Sequence, residues 1–127
     1  MRSNLAYSAY SQNNVSIESS EKLIKMLYEG ILKFTAQAKR SIELDDIEKK
    51  VYWINRTTAI FSELINSLNY SNGGNIAHYL SGLYAHQLKL LAESNMNNST
   101  KQLDEVISVT KELLSAWNEE TADDMEE

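Results

Sequence analysis

Four stretches of about 20 residues carry apolar side chains at helical spacing, and three short breaks separate them. Proline is absent and only four glycines occur, so little in the chain interrupts a helix. At 127 residues the chain is expected to form one domain with a single core. Long helices joined by short turns predict an all-α fold, an antiparallel four-helix bundle.

The breaks predict where the helices begin and end, because Ser, Thr and Asp are preferred N-caps. Residues 71–74 (Ser-Asn-Gly-Gly) form the strongest predicted turn, since adjacent glycines permit positive φ. The expected helices run from Ser19 or Ser20 to about Glu43, from the Asp45-Asp46 pair to about Tyr70, from about Asn75 to Asn95, and from Ser99 or Thr100 to just past Trp117.

The predicted domain organisation is a helical bundle between two tails. The bundle is expected over residues 19–118, and the acidic segment 119–127 is expected to be disordered. The N-terminal tail, residues 1–18, is mostly polar. It is too short to be stable alone, so a short helix is expected there only where the tail docks on the bundle.

The first predicted helix carries more apolar surface than one core requires. From Leu23 to Ile42 its apolar residues sweep an arc of about 240° at 100° per residue, whereas a helix packed on one core usually shows a stripe of somewhat over 100°. Two interpretations remain open: this helix is the most buried one, or part of its face forms a groove for a partner. The groove would be lined by Ile24, Leu27, Tyr28 and Ile31.

Composition excludes several classes of function. The net charge of −6 argues against binding nucleic acid or anionic membrane surfaces. No apolar stretch approaches the length of a membrane span, and the N-terminus lacks a signal-peptide pattern. We therefore expect a soluble cytoplasmic protein without membrane insertion. The absence of Cys excludes disulfides and thiolate metal sites.

No group of residues has the spacing of a catalytic or metal site. His78 and His86 lie eight residues apart, whereas helical metal pairs usually sit at i and i+4. Gly73-Gly74 lacks the Gly-Lys-Ser/Thr ending of a phosphate loop, and Asp45-Asp46 is explained as a helix cap. No catalytic residue, metal or cofactor is expected, and the protein is not expected to be an enzyme.

Two tyrosines stand out in the polar N-terminal tail. Tyr7 and Tyr10 are three residues apart, and a tyrosine can bury its ring while its hydroxyl stays in water. The tail is therefore expected to dock across the first helix and to cover the groove when the partner is absent. Such a contact must be weak, because a tight one would reduce the apparent affinity for the partner.

The order of several short segments gives the chain a family resemblance from Ala6 to about Trp117. The segments are Ala6-Tyr7 with Ala9-Tyr10, Leu23-Ile24-Lys25-Met26-Leu27-Tyr28-Glu29-Gly30, Ala38, Ile42-Glu43, Ile54-Asn55-Arg56 before Glu63-Leu64, Gly73-Gly74-Asn75-Ile76-Ala77, Leu83-Tyr84 and Ala116-Trp117. The chain resembles the FliS family of flagellar export chaperones, which bind flagellin. It departs from the family at Ser19-Ser20-Glu21, where Ser-Pro is frequent, and at Asn69 and Asn75, where acidic residues are favoured.

The resemblance implies a helical bundle that holds unpolymerised flagellin in the cytoplasm. In the family, the disordered C-terminal segment of flagellin becomes partly helical and wraps around the bundle. The chaperone helps to present its cargo to the flagellar type III export gate, and a co-chaperone is a further partner left open. The residues assigned to flagellin contact are Ile24, Leu27, Tyr28 and Ile31, with Tyr7 and Tyr10 as displaced gatekeepers.

Truncation of a groove residue is expected to weaken flagellin binding by about 1–3 kcal/mol while the helix content is retained. Titration calorimetry and circular dichroism of Ile24→Ala measure the two effects. If Ile24→Ala unfolds the chain without changing its affinity for flagellin, Ile24 belongs to the core. The alternative function is a self-associating bundle whose surplus apolar face is a dimer interface.

Overall fold

The described part of the chain folds into four helices that pack side by side. A computed structural model describes the backbone of residues 9–10 and 17–126 and the side chains of residues 9–10 and 20–121. The helices are α1 (Ile17–Glu43), α2 (Ile47–Asn66), α3 (Tyr70–Asn97) and α4 (Lys101–Glu126). Each helix packs against the next, and α4 closes the bundle against α1. The predicted all-α four-helix bundle is confirmed.

Polar caps form two of the three connections as predicted. Asp46 is the N-cap of α2, and its side chain accepts a hydrogen bond from the Lys49 backbone N–H at 3.1 Å. Asp45 before it adopts a left-handed φ of 56°, which reverses the chain direction. At the start of α4, the Ser99 hydroxyl accepts from the Lys101 N–H at 3.3 Å. The predicted breaks at Asp45-Asp46 and near Ser99 are confirmed.

The prediction of a turn at 71–74 is confirmed at Gly74 and wrong in its extent. α2 already ends at Asn66, and α3 begins at Tyr70 because the Asn69 side chain caps it, accepting from the Asn72 N–H at 3.1 Å. The glycine pair therefore falls inside α3. Gly74, with φ 49° and ψ −125°, takes the positive φ that the glycine pair predicts, and it kinks α3 between a short first turn and the long helix that follows.

The fourth helix is longer than predicted. α4 does not end just past Trp117 but continues to Glu126, through most of the acidic segment 119–127 for which the sequence predicts a disordered tail. Thr121 lies one turn after Trp117 on the same face of α4. It is buried, and its hydroxyl donates to the Trp117 carbonyl at 2.9 Å. Packing on this face therefore extends at least to Thr121, beyond the predicted end of the helix.

A layer of polar side chains crosses the middle of the core. Thr35, Thr57, Gln87 and Thr110 come one from each helix, and all four are fully buried. Contacts between neighbouring helices lie above and below these residues and show that the residues of each pair stand at the same level of the bundle. These contacts are Tyr28 with Trp117, Lys39 with Asp104, Phe61 with Tyr84, and Lys50 with Asn95.

The hydroxyls of this layer are unequally satisfied. Thr57 Oγ1 donates to the Trp53 carbonyl at 2.9 Å. Thr35 Oγ1 and Thr110 Oγ1 have no hydrogen-bond partner among the described residues. A buried hydroxyl without a partner keeps its full desolvation cost. The layer therefore lowers the stability of an otherwise apolar core.

Replacing the unpartnered hydroxyl should stabilise the bundle. We expect Thr110→Val to raise the free energy of unfolding by about 1–2 kcal/mol, because it removes a desolvated hydroxyl and keeps the branched shape. Urea unfolding followed by circular dichroism measures the change. Thr57→Val is the matched control and should not stabilise, since it removes a hydrogen bond that is made. Equal stabilisation by both variants would contradict this account of the layer.

Candidate functional site

The wide apolar arc of α1 divides into a core stripe and a flank that faces α2. Ile24, Tyr28 and Ile31 belong to the buried core. Leu23 and Leu27 lie on the neighbouring flank, where Leu23 is 53% exposed and Leu27 is partly buried. Met26 extends the exposed edge of this flank and is 65% exposed. The surplus apolar surface therefore lies on the side of α1 that meets α2.

Between these two helices lies an open groove of about 320 Å³, here called the α1–α2 groove. Gly30 allows the close packing at its floor, because a Cβ at this position would lie 3.1 Å from Ile60 Cδ1. Ala59 of α2 is small and exposed, so its side chain leaves the groove open to solvent. The groove is lined by Leu27, Phe34, Arg56, Ala59, Ile60 and Glu63.

Phe34 and Arg56 line one end of the groove, and the rings of Trp53 and Tyr52 lie beside them. The ring of Trp53 lies 5.4 Å from that of Phe34, and the ring of Tyr52 lies edge-on to Trp53 at 4.8 Å. The Arg56 guanidinium stands 4.7 Å from the Phe34 ring centroid, and its Nη1 donates to Tyr52 Oη at 3.2 Å. Trp, Tyr and Arg are the residue types that dominate binding hot spots. This end of the groove is suited to binding a partner.

A second and larger groove, about 760 Å³, separates α1 from α4, and charged side chains line it together with Leu32, Ala36 and Ile107. Lys39 Nζ and Asp104 Oδ1 bridge it at 2.8 Å, and Arg40, Glu43 and Lys111 also line it. An apolar segment entering there would have to desolvate these charges. For an apolar partner, the α1–α2 groove is the better site.

The residues that the sequence assigns to partner contact lie in different places. Leu27 lines the α1–α2 groove, whereas Ile24, Tyr28 and Ile31 are buried in the core beside it. Tyr7 lies outside the described residues. The contacts proposed for these residues stay predictions.

Other groove residues were missed from the sequence. On α1, the spacing of Leu27 and Phe34 could have revealed the second stripe, because positions seven apart share a helix face. On α2, the outer wall includes Arg56 and Glu63, and charged residues give no apolar periodicity to detect.

Tyr10 is joined to the bundle through a cluster of three tyrosine hydroxyls. Tyr84 Oη of α3 is hydrogen-bonded to Tyr28 Oη of α1 at 2.5 Å and also to Tyr10 Oη. The Trp117 ring of α4 lies edge-on to Tyr10 at 6.0 Å and to Tyr28 at 6.4 Å. Trp117 Nε1 in turn donates to the Glu21 carbonyl at 3.1 Å. The cluster ties the N-terminal segment to three helices.

The backbone around Tyr10 is fixed at the α2–α3 connection. The Asn69 N–H donates to the Ala9 carbonyl, and Tyr10 forms an isolated bridge with Leu68. Gly73 permits this approach, because a Cβ there would lie only 2.6 Å from Ala9 Cα. Tyr10 is 2% exposed, so it docks into the core and not into the α1–α2 groove.

Burial changes the acidity of the clustered phenols. Desolvation is the largest cause that raises the pKa of Tyr10, Tyr28 and Tyr84, since a phenolate is poorly solvated inside the bundle. For Tyr84, repulsion from ionised Tyr28 and Tyr10 raises the pKa further. A group whose pKa is raised by folding contributes stability that is present below its unfolded pKa and is lost as the pH rises above it.

Alkali should therefore unfold the bundle as these three tyrosines ionise. In the unfolded chain their pKa is near 10, so the free energy of unfolding is expected to fall above about pH 10. Phenolate absorbance at 295 nm and helical circular dichroism, measured along one pH titration, should share a late transition. Full ionisation of all seven tyrosines with the helical signal intact would contradict the prediction.

In the described part of the chain, no helix has the length and apolar content needed to cross a bilayer. Fold and groove together place the chain in a class, the helical bundles that present an apolar groove beside their core. A family model described as "Flagellar protein FliS" matches residues 2–124. The chain belongs to the FliS family, which confirms the resemblance seen in the sequence.

Individual relatives agree with this family. A flagellar secretion chaperone FliS of Campylobacter jejuni is 59% identical over 119 residues, which cover 94% of this chain and 93% of the relative. The flagellar secretion chaperone FliSB of Pseudomonas aeruginosa is 34% identical and covers 82% of both chains. The flagellar secretion chaperone FliS of Bacillus subtilis is 32% identical over 89% of this chain and 84% of its own length.

Proposed function

We propose that this protein is a cytoplasmic flagellar export chaperone that binds the disordered C-terminal segment of flagellin in the α1–α2 groove. Binding keeps flagellin from polymerising and holds it ready for delivery to the flagellar type III export apparatus. The relatives named as flagellar secretion chaperones support the class of function. The observation that carries the choice of site is the exposed apolar and aromatic groove on the surplus face of α1.

The groove has the dimensions of a helix-binding site. From Leu27 to Phe34 its α1 wall rises roughly 10.5 Å, or about two helical turns. An amphipathic segment of flagellin that becomes helical can place residues at i, i+4 and i+7 against this wall. Ala59 leaves room for the backbone of such a helix between α1 and α2.

Ordering a disordered segment costs several kcal/mol, so one groove is not the whole contact. We propose that displacement of Tyr10 extends the path of flagellin toward Tyr28 and the adjoining Ile24 and Ile31. Tyr7 and Tyr10 then act as gatekeepers. The support for this step is that one hydroxyl cluster and two backbone contacts hold residues 9–10 on the helices. A contact spread over many modest interactions permits release during export.

A charge placed in the groove should abolish tight binding without unfolding the bundle. We expect Ala59→Glu to weaken binding of the flagellin C-terminal peptide at least tenfold, about 1.4 kcal/mol, because the new carboxylate must be desolvated against apolar cargo. Titration calorimetry measures the affinity. Ala92→Glu is the matched control, since Ala92 is an exposed residue of α3 that does not line the groove, and its affinity should equal that of the unaltered chain.

Two results would contradict the proposal. One is equal affinity of Ala59→Glu and Ala92→Glu for the peptide. The other is a stable homodimer whose molecular mass, measured by light scattering, does not change when the peptide is added. The second result would assign the exposed apolar face to self-association.

A further inference from the structure

Arg56 is held in place by aromatic groups and has no acidic partner among the described residues. Its guanidinium lies 4.7 Å from the Phe34 ring centroid and 5.5 Å from that of Tyr52, and it donates to Tyr52 Oη. Within the described part of the chain, no carboxylate forms an ion pair with it. An arginine fixed this way keeps most of its planar donors available for a carboxylate.

Glu63 stands at the opposite end of the same wall. It lies seven residues after Arg56 on α2, a rise of roughly 10.5 Å or two turns, so both side chains border the groove. Because α1 and α2 are antiparallel, Glu63 lies toward Leu27 and Arg56 toward Phe34. The groove is therefore apolar along its length, positive at one end and negative at the other.

The two helices themselves cannot orient a bound segment. Antiparallel helix dipoles point in opposite directions and largely cancel along the groove. Apolar contacts carry no direction either, since a helix inserted either way can present an apolar stripe. Arg56 and Glu63 give the two ends of the groove opposite charges, and the end at Arg56 also carries the aromatic rings.

We propose that Arg56 and Glu63 select the direction in which the cargo helix lies in the α1–α2 groove. The occupant is an amphipathic helical segment that places an Asp or Glu against Arg56. Two turns away along the same segment, a Lys or Arg meets Glu63. This proposal rests on the proposed function and specifies the charge pattern of the segment that the groove accepts. Like charges brought together in the reversed direction are what exclude that direction.

Exchanging the two charges tests the proposal. The double variant Arg56→Glu/Glu63→Arg keeps the net charge and the apolar walls, and we expect it to bind a synthetic flagellin C-terminal peptide at least tenfold more weakly at low ionic strength. Peptides in which one acidic and one basic residue seven positions apart are exchanged are then titrated against it. One such peptide should restore the affinity to within about threefold.

A charge exchange outside the groove is the matched control. Arg40→Glu/Glu43→Arg makes the same two substitutions on the α4 side of α1, and should bind the original peptide like the unaltered chain. Thermal unfolding of both double variants checks that the bundle is intact. If Arg56→Glu/Glu63→Arg binds the original peptide normally while Ala59→Glu does not, the groove holds the cargo but its charges do not select direction. If Ala59→Glu also binds normally, the proposed function fails at this site.

Direction can also be measured without changing the groove. The chain has no cysteine, so Asn55→Cys and Asn66→Cys each give one attachment point for a nitroxide, at the Arg56 end and beyond the Glu63 end of α2. A fluorophore on the N-terminus of a peptide that spans the groove should be quenched strongly from one position and weakly from the other. Equal quenching from both positions would mean that the segment binds in both directions, against the proposal.

Discussion

The position of α1 between α2 and α4 governs the rest of the structure. One helix can direct only part of its circumference to a shared core. On α1 the side chains of Ile24, Tyr28 and Ile31 face that core. The flank beside it still carries Leu27 and Phe34, and α2 packs closely against α1 at Gly30 but leaves an open groove lined by these two side chains. The groove is thus a consequence of how a wide apolar helix is shared between two neighbours.

The tyrosine cluster connects this bundle to its N-terminal segment. Tyr84 accepts or donates to two other phenols in a site that excludes water, and Trp117 packs edge-on against both of those rings. Polar groups buried in this way hold one arrangement, because any displacement leaves a hydroxyl unpaired. Residues 9–10 are consequently part of the core, and their described backbone contacts are to Asn69 and Leu68. The proposed displacement of Tyr10 by flagellin would open this part of the core.

Local chemistry was predictable where a side chain acts on its own backbone neighbours. The caps at Asp46 and Ser99 follow from such contacts, and both were found. The sequence predicts the glycine pair only in part: Gly74 takes the expected positive φ, whereas the need for Gly73 depends on a distant residue, Ala9. The end of α4 was placed too early because Thr121 is polar in sequence but buried in the bundle. The sequence places Leu27 in a partner groove, and it does line the α1–α2 groove. Arg56 and Glu63 line the same groove, but the sequence does not predict them because charged residues leave no apolar periodicity.

The number of helices, the bundle class, the family and the excess of apolar surface on α1 could all be predicted before any fold was known. They follow from periodicity, helix-breaking residues and segment order, which are properties of the chain alone. The division of that surface into a core stripe and a groove needed the packed bundle. The same packing decided that Tyr10 enters the core and that Arg56 lies against Phe34. The reason is that periodicity fixes the spacing of side chains on a helix, whereas the rotation of the helix about its axis is set by its neighbours.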